Sequence, residues 1–316
     1  MMWYKDLSMS ELKYFLGLFG IILLTSCGKS GAADSVAESE MPDTSNIPEL
    51  INFLEDDQLA VIIDEELPLR KGKTRPTGIK AVPQPGDDFR RAKMDELYWP
   101  KAKVFESDFR GASIRSGRCQ ESDFHDSDFR AADIRWTIFD DSDLRNINFN
   151  QSRLFHVHVN RANLDSCTFR GANMFGMEGH FAKMRSCDFT GALMKDSEFV
   201  EADLTGSVGI KAKLFRAVLK DSKIENCDFS FSDFTGAGLE GSSFKHSKLI
   251  GCNFQGGHLQ GADFSGADLR NCNFFGTEFE GTNFSGAKNI PKSIKGFIDD
   301  KGMATGIWQD AGRVSY

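Results

Sequence analysis

Apolar side chains recur at every fifth residue along most of this chain. With Phe264 as reference, the same phase holds Leu269, Phe274, Phe279 and Phe284 downstream and Leu259, Phe254, Leu249 and Phe244 upstream, and it runs without a slip back to Phe109. Across these 36 pentapeptides only Gly179 and Gly209 put a non-apolar residue at the centre. A helix carries its apolar stripe at a period of 3.6 and a strand alternates at 2, so a period of five fits neither and the chain must turn inside each repeat. Repetition over this length defines a repeat architecture before any other feature is weighed.

A second position, two residues before each centre, is small: Ala112, Ser122, Ala132, Ser142, Ala162, Cys167, Ala172, Ala192, Ala202, Ala262 and Ala267. Two inward side chains flanking one outward residue are a three-residue piece of extended chain. The remaining two residues form a corner, and glycine is frequent at the second of them, as in Gly111, Gly171, Gly191, Gly261, Gly266 and Gly281. Glycine there supplies the positive φ that a type II turn requires. Like residues then recur at 20: Phe109, Phe129, Phe149, Phe169 and Phe189, with Phe229 beyond Gly209; Cys167 and Cys187; Cys252 and Cys272. Twenty residues per coil means four sides of five. About nine coils follow, a rod roughly 43 Å long at the usual interstrand spacing.

The pentapeptides "ADLTG", "ADFSG", "ADLRN" and "TNFSG" carry an A(D/N)(L/F)xx pattern that resembles the pentapeptide-repeat family over about 185 of the 316 residues. The resemblance implies an all-β fold, a right-handed quadrilateral parallel β-helix. It says less about function, because inward positions set the fold and outward ones must carry activity. Some members of the family resemble DNA in shape and charge and protect topoisomerases, which makes a cytoplasmic DNA mimic of that kind the alternative function.

The interior bears on catalysis. With two inward side chains per side the axis is filled, and no pocket of the usual few hundred Å³ is expected inside it. The six histidines fall on different faces with no nucleophile or acid at a motif spacing, so no catalytic, cofactor-binding or metal-binding residues are assigned and the protein is read as a non-enzyme. Six of the seven cysteines, Cys119, Cys167, Cys187, Cys227, Cys252 and Cys272, fall at inward positions and are expected to be buried free thiols. Gly179 leaves the axis short of a side chain that Met177 could replace, and around Gly209, flanked by Val208 and Ile210, a local bulge is expected.

The seventh cysteine is Cys27. Residues 14 to 27 read "YFLGLFGIILLTSC", an apolar run too short to span a bilayer but suited to the core of a secretory signal. "LTSC" resembles the lipobox of bacterial lipoproteins, and the resemblance makes Cys27 the lipidated residue and the mature N-terminus. Gly28 after it resembles the pattern sent to the outer membrane. The expected organisation is a signal peptide over 1–26, a lipid-anchored polar and acidic tether over 27–45, a small segment over 46–101 that docks on or caps the rod, the β-helix over 102–287, and a C-terminal cap over 288–316. Uncovered end coils would expose apolar side chains and unpaired backbone, so a terminal cap is also where a homodimer would form.

Charge narrows the partners. Residues 104–287 carry 26 acidic and 20 basic side chains, whereas duplex DNA carries one charge per about 1.7 Å, or about 25 over such a rod. Arg110, Arg115, Arg130, Arg135, Arg145, Arg153, Arg161 and Arg170 interrupt the acids of the first half, which argues against a DNA mimic, and no basic domain points to a nucleic-acid partner. The expected partners are an unidentified protein of the bacterial cell envelope and the membrane, reached through the lipid anchor. The surface expected to serve is one edge where Phe155, Phe175, Phe215 and Phe275 share an outward position at multiples of 20, with Trp136 one residue further round. Such a stripe either stacks on itself between coils, receives the apolar "LINFL" and "LAVII" segments, or binds a partner.

Overall fold

The computed structural model describes residues 83–305, which lie in the larger of the chain's two compact units, Pro48–Tyr316. The middle residue of each side pairs in parallel with the residue 20 positions later, from Asp88↔Asp108 to Asp268↔Lys288. The coil is therefore four-sided, and the structure is the all-β parallel solenoid expected from the period.

One pentapeptide accounts for all five of its backbone donors. In residues 108–112, Asp108 N donates to Asp87 O of the preceding coil (3.0 Å), while Phe109 N and Gly111 N donate to Asp128 O (2.7 Å) and Arg130 O (3.0 Å) of the next. Ala112 N closes the corner on Phe109 O at 2.9 Å. The first corner residue has no backbone acceptor, and Arg110 N donates instead to Asp108 Oδ1 at 3.2 Å. That bond gives the Asp or Asn before each centre its purpose, repeated by Asn148 for Asn150, Asp203 for Thr205 and Asp263 for Ser265. In several coils where the residue is missing, the preceding coil supplies the acceptor, as Asp140 Oδ1 does for Asn160 N and Asn160 Oδ1 for His180 N. A buried donor left unmatched would cost about 1–3 kcal/mol.

The small inward position has a similar role. Ser142 Oγ donates to Cys119 O (2.8 Å), Thr277 Oγ1 to Phe254 O (3.0 Å) and Cys167 Sγ to Leu144 O (2.9 Å), in each case the carbonyl of a centre one coil earlier. The five cysteines at this position thus stand in for serine. All six cysteines of the rod are buried and free, as expected.

Every corner from 86 to 286 has positive φ at its second residue, and 26 of these 41 residues are not glycine. The corner is of type II, but it does not depend on glycine: the ladders on either side hold ordinary side chains in the left-handed region at about 1–2 kcal/mol each.

The rod begins earlier than the apolar phase suggested. Phe89, Met94, Trp99 and Val104 are the buried centres of a first coil, with exposures of 9% or less. Residues 83–101, expected within a separate segment, are part of the β-helix. Proline and glycine in "VPQPGDD" read as loop, yet Gly86 takes a corner at φ +80° and Asp88 starts the ladder. The count rises from nine coils to ten, and the length to about 48 Å.

Inside, one column stacks Phe89, Phe109, Phe129, Phe149, Phe169 and Phe189 with neighbouring centroids 4.4–5.4 Å apart. At Gly209 no bulge forms: Val208 pairs with Asp188 and Asp228, and the Phe229 ring lies where a Cβ would be, its Cε1 only 2.1 Å from that point. At Gly179 the ring of Phe199 comes within 2.8 Å of the corresponding point, with Val159 behind it. The next coil, rather than Met177 alone, fills the gap; Met177 itself is buried.

Beyond the last corner, helix α1 (Lys292–Lys295) buries Ile294, and the chain returns so that Met303 pairs antiparallel with Asn283. Phe284 N donates to Gly302 O (2.7 Å) and Gly281 N to Ala304 O (3.0 Å), so this edge of the last coil is satisfied from within the chain. Gly302, at φ +85°, crosses the backbone of Ser285 so closely that a Cβ would stand 2.7 Å from its N and Cα atoms.

Candidate interaction edge

Four of the expected aromatic residues do share one edge. Phe155 and Phe175 stack face to face with centroids 5.1 Å apart, and Trp136 meets Phe155 edge-on at 5.6 Å. Trp136 is 47% exposed and sits in the left-handed corner position at φ +59°. Phe215 lies two coils beyond Phe175, and the coil between contributes Lys195, whose Nζ lies 5.8 Å from the Phe175 ring and 5.5 Å from that of Phe215. Arg216 covers the Phe215 ring at 5.1 Å and Arg135 the Trp136 ring at 5.3 Å. The edge is a ladder in which cations interleave with rings, each contact of a kind worth about 0.5–1 kcal/mol at an exposed site. Arg135, Trp136, Arg153, Phe155 and Asn173 line a shallow depression at its upstream end.

Phe275 occupies the same column but lies three coils past Phe215, beyond Thr235 and Gln255, and is 57% exposed. It does not extend the ladder. Self-covering by stacking, one of the readings of the stripe, accounts for Phe155 and Phe175, which are half-buried, but not for Trp136. Reading aromatics alone missed Lys195, although it stands at the same spacing of 20. It also missed Phe181, 52% exposed at a corner on another edge. Cys27, the expected lipidation site, lies outside the described residues.

The arginines beside Trp136 and Phe215 are paired with aspartates. Arg135 Nε donates to Asp133 Oδ1 at 2.7 Å, and Arg216 Nε to Asp196 Oδ1 at 2.6 Å. The Arg216 hydrogen bond holds the Asp196 carboxyl below the usual carboxylate range. Elsewhere, Asp123, His125 and Asp143 bring three ligand-type atoms together, the one group of this kind among the described residues. Asp143 is already engaged by Arg145 Nε at 2.8 Å, and His125 Nδ1 by Asp123, so the cluster is satisfied as a charge network. Burial pushes the Cys119 and Cys227 thiols up to about 12, leaving them protonated and unreactive at neutral pH. Among the described residues no helix is long and apolar enough to cross a membrane.

Four-sided coils of this geometry around a filled axis define a β-helical scaffold. A family model described as pentapeptide repeats matches in eight copies over residues 107–146, 180–208, 212–249 and 247–286, so these stretches of the chain are pentapeptide repeats. Among solved structures, the chain is similar to HetL, a pentapeptide repeat protein involved in heterocyst differentiation regulation from the cyanobacterium Nostoc sp. strain PCC 7120, at 19% identity over 61% of this chain and 90% of that one, with a TM-score of 0.44. It is also similar to QnrB1, a plasmid-mediated fluoroquinolone resistance protein (19% identity, 66% and 91% of the two chains, TM-score 0.37). A pentapeptide repeat protein of the Arabidopsis thaliana thylakoid lumen is similar at 17% identity over 40% and 85% of the chains, with a TM-score of 0.21. None of the curated proteins matches the chain.

Proposed function

We propose that this is a lipid-anchored protein of the bacterial cell envelope whose rod is a non-catalytic protein-interaction module, with the edge of Trp136, Phe155, Phe175, Lys195 and Phe215 as its contact surface. The observation that carries the contact surface is where the aromatics fall. The family pattern matches on either side of residues 147–179 but not within them, although the ladder continues unchanged there. Phe155, His156 and Phe175 lie within that stretch, at outward positions. Exposed aromatics beside cations are the composition of binding hot spots. The apolar run ending in "LTSC" supports the anchor, with Cys27 carrying the lipid.

Paired charges argue against the topoisomerase-protecting alternative: Asp108, Asp128, Asp133, Asp143 and Asp165 each hold an arginine, so the surface lacks the one-signed field of a duplex.

Intact mass and membrane fractionation test the anchor: the expected product is cleaved before Cys27 and carries a diacyl or triacyl modification, and Cys27→Ser abolishes both. An unmodified, soluble chain from the native host would overturn it. For the contact surface, the Phe155→Ser/Phe175→Ser/Phe215→Ser variant should lose cross-linked envelope partners while keeping its β-sheet signal; unchanged cross-linking would reject this edge.

A further inference from the structure

The depression at the upstream end of the edge has a chemistry of its own. Its lining comes from three successive coils, Arg135 and Trp136 from the first, Arg153 and Phe155 from the second and Asn173 from the third, and its volume of about 340 Å³ is at the lower end for a ligand site. Acceptors are scarce there. Asn173 Oδ1 already accepts from Phe175 N at 3.1 Å, and no carboxylate is among the lining side chains. Donors remain. Arg135 grips Asp133 through Nε and Nη2, both at 2.7 Å, so its Nη1 stays outside that fork. Trp136 is 47% exposed and edge-on to Phe155, and an indole has an N–H to donate and no acceptor. Asn173 Nδ2 is set apart from its counterparts further along the same column. Asn253 and Asn273 donate Nδ2 to the residue one coil earlier, to Asp233 Oδ1 at 3.4 Å and Asn253 Oδ1 at 2.9 Å. The residue one coil before Asn173 is Arg153, whose side chain has no acceptor. The lining side chains thus present N–H groups beside an aromatic surface. A neutral sugar, whose hydroxyls donate as well as accept, would leave its own donors unmatched there; an ionised carboxylate only accepts.

We propose that this depression receives an acidic side chain of the protein partner, an aspartate or glutamate with an apolar or aromatic neighbour that covers Trp136. The inference rests on the reading of this edge as a protein-contact surface and names the partner's chemistry at one end of it. Arg135 Nη1 and Asn173 Nδ2 take the carboxylate, the first through a charge-assisted hydrogen bond. Trp136 and Phe155 take the apolar neighbour, as exposed aromatics do at the centre of a contact.

A phage-displayed library of random heptapeptides, selected on the full chain and depleted on its Asn173→Asp variant, tests this. The substitution keeps an acceptor for Phe175 N, as Asp263 provides for Ser265 N at the equivalent place, so the coil stays intact while Nδ2 is lost and a negative charge is set at the depression. Enriched peptides should carry Asp or Glu beside an apolar residue. Synthesised with amidated C-termini, they should bind at least about tenfold more weakly to Asn173→Asp and to Arg135→Gln, and exchanging their acid for Gln should weaken them as much. Trp136→Gly, which suits the positive φ of that corner, should weaken them too. No enrichment, or enrichment of peptides without a carboxylate, overturns the proposal. If an oligogalacturonate, a chain of acidic sugars, binds the wild type but not Asn173→Asp while no acidic peptide is enriched, the depression is a glycan site and the peptide is rejected. Partner cross-links that persist in Asn173→Asp but vanish in the Phe155→Ser/Phe175→Ser/Phe215→Ser variant would leave the contact surface standing and reject only its acidic partner. Cross-links unchanged in both variants would reject the surface, and the proposal with it.

Discussion

The two halves of the rod build the same backbone from different materials. In the coils up to Phe189, one stacked column of phenylalanines runs up the axis, met edge-on by Phe124 and Phe139, and glycine takes 4 of the 21 corners from 86 to 186. In the later coils two phenylalanine columns face one another. Phe234, Phe254 and Phe274 stack at 5.0–5.1 Å, Phe244, Phe264 and Phe284 at 4.7–5.5 Å, and the two sets meet edge-on across the axis. There glycine takes 11 of the 20 corners from 191 to 286. The outside changes in step: arginine–aspartate forks line the first half, whereas Arg270 is the one arginine past Arg216 among the described residues. The first half holds strained corners under a skin of ion pairs. The second relaxes its corners and concentrates its cohesion in the aromatic core.

The largest effects should come from that core. Phe254 touches four other rings, Phe149 two. Both large-to-small changes are expected to cost about 3–5 kcal/mol, with Phe254→Ala at the upper end and Phe149→Ala at the lower, read from chemical denaturation. Repeat arrays unfold in parts, so hydrogen exchange should localise each loss to its own half. Equal losses would remove the difference in core cohesion. Asn148→Ala, beside Phe149, removes the acceptor for Asn150 N and Thr168 Oγ1 and should cost about 1 kcal/mol; a loss as large as that of Phe149→Ala would contradict the inward phase.

Between the halves lies Gly209, where the one stacked column gives way. A methyl there meets the Phe229 ring with no room to spare, and Gly209→Ala is expected to cost about 1–3 kcal/mol by overpacking. A neutral result would mean that Phe229 has another place to go.

Much of this was legible in the sequence, and the reasons differ by feature. The coil length, four sides and inward phase follow from a period of five locked to a recurrence at 20, because inward positions admit few side chains. The first coil was hidden because its centres are mixed, Phe89, Met94, Trp99 and Val104, and its corners include proline and glycine that suggest loop. The bulge at Gly209 was a wrong expectation: the missing side chain was sought in sequence neighbours, whereas the filler comes 20 residues later. At the candidate edge, the aromatics were visible as a column but the cation between them was not, because a lysine at an outward position looks like solvated surface until its neighbours one coil away are counted.

Corner substitutions should act in opposite directions in the two halves. Gly256 is at φ +63° with nothing within 4 Å of an added Cβ, so Gly256→Ala isolates the backbone cost, about 1 kcal/mol. Gln151 is at φ +60° in the first half. Gln151→Gly relieves that strain but frees the unfolded chain, and the balance should be a gain below about 1 kcal/mol. A loss at both sites would mean that glycine is placed for contact with something outside, not for its φ.

The smallest effect concerns the ionic skin and its sign. Hydrogen bonds from Arg115, Arg161 and Arg216 hold Asp95, Asp141 and Asp196 below the usual carboxylate range, Asp95 down to about 2. A carboxylate whose folded value is depressed contributes its full share above the unfolded value of about 4 and loses it as pH falls through the folded one. Acidification from about 4 toward about 2 should therefore weaken the coils around these pairs. All three lie before the facing aromatic columns begin. Amide exchange in residues 95–216, corrected for the intrinsic rate, is expected to accelerate over that window more than exchange in residues 234–284. The pairs are largely exposed, so screening keeps each contribution small, and high salt at neutral pH should produce a fainter version of the same asymmetry. If the later coils loosened first in acid, the arginine forks would be ornament on a first half held together by its core alone.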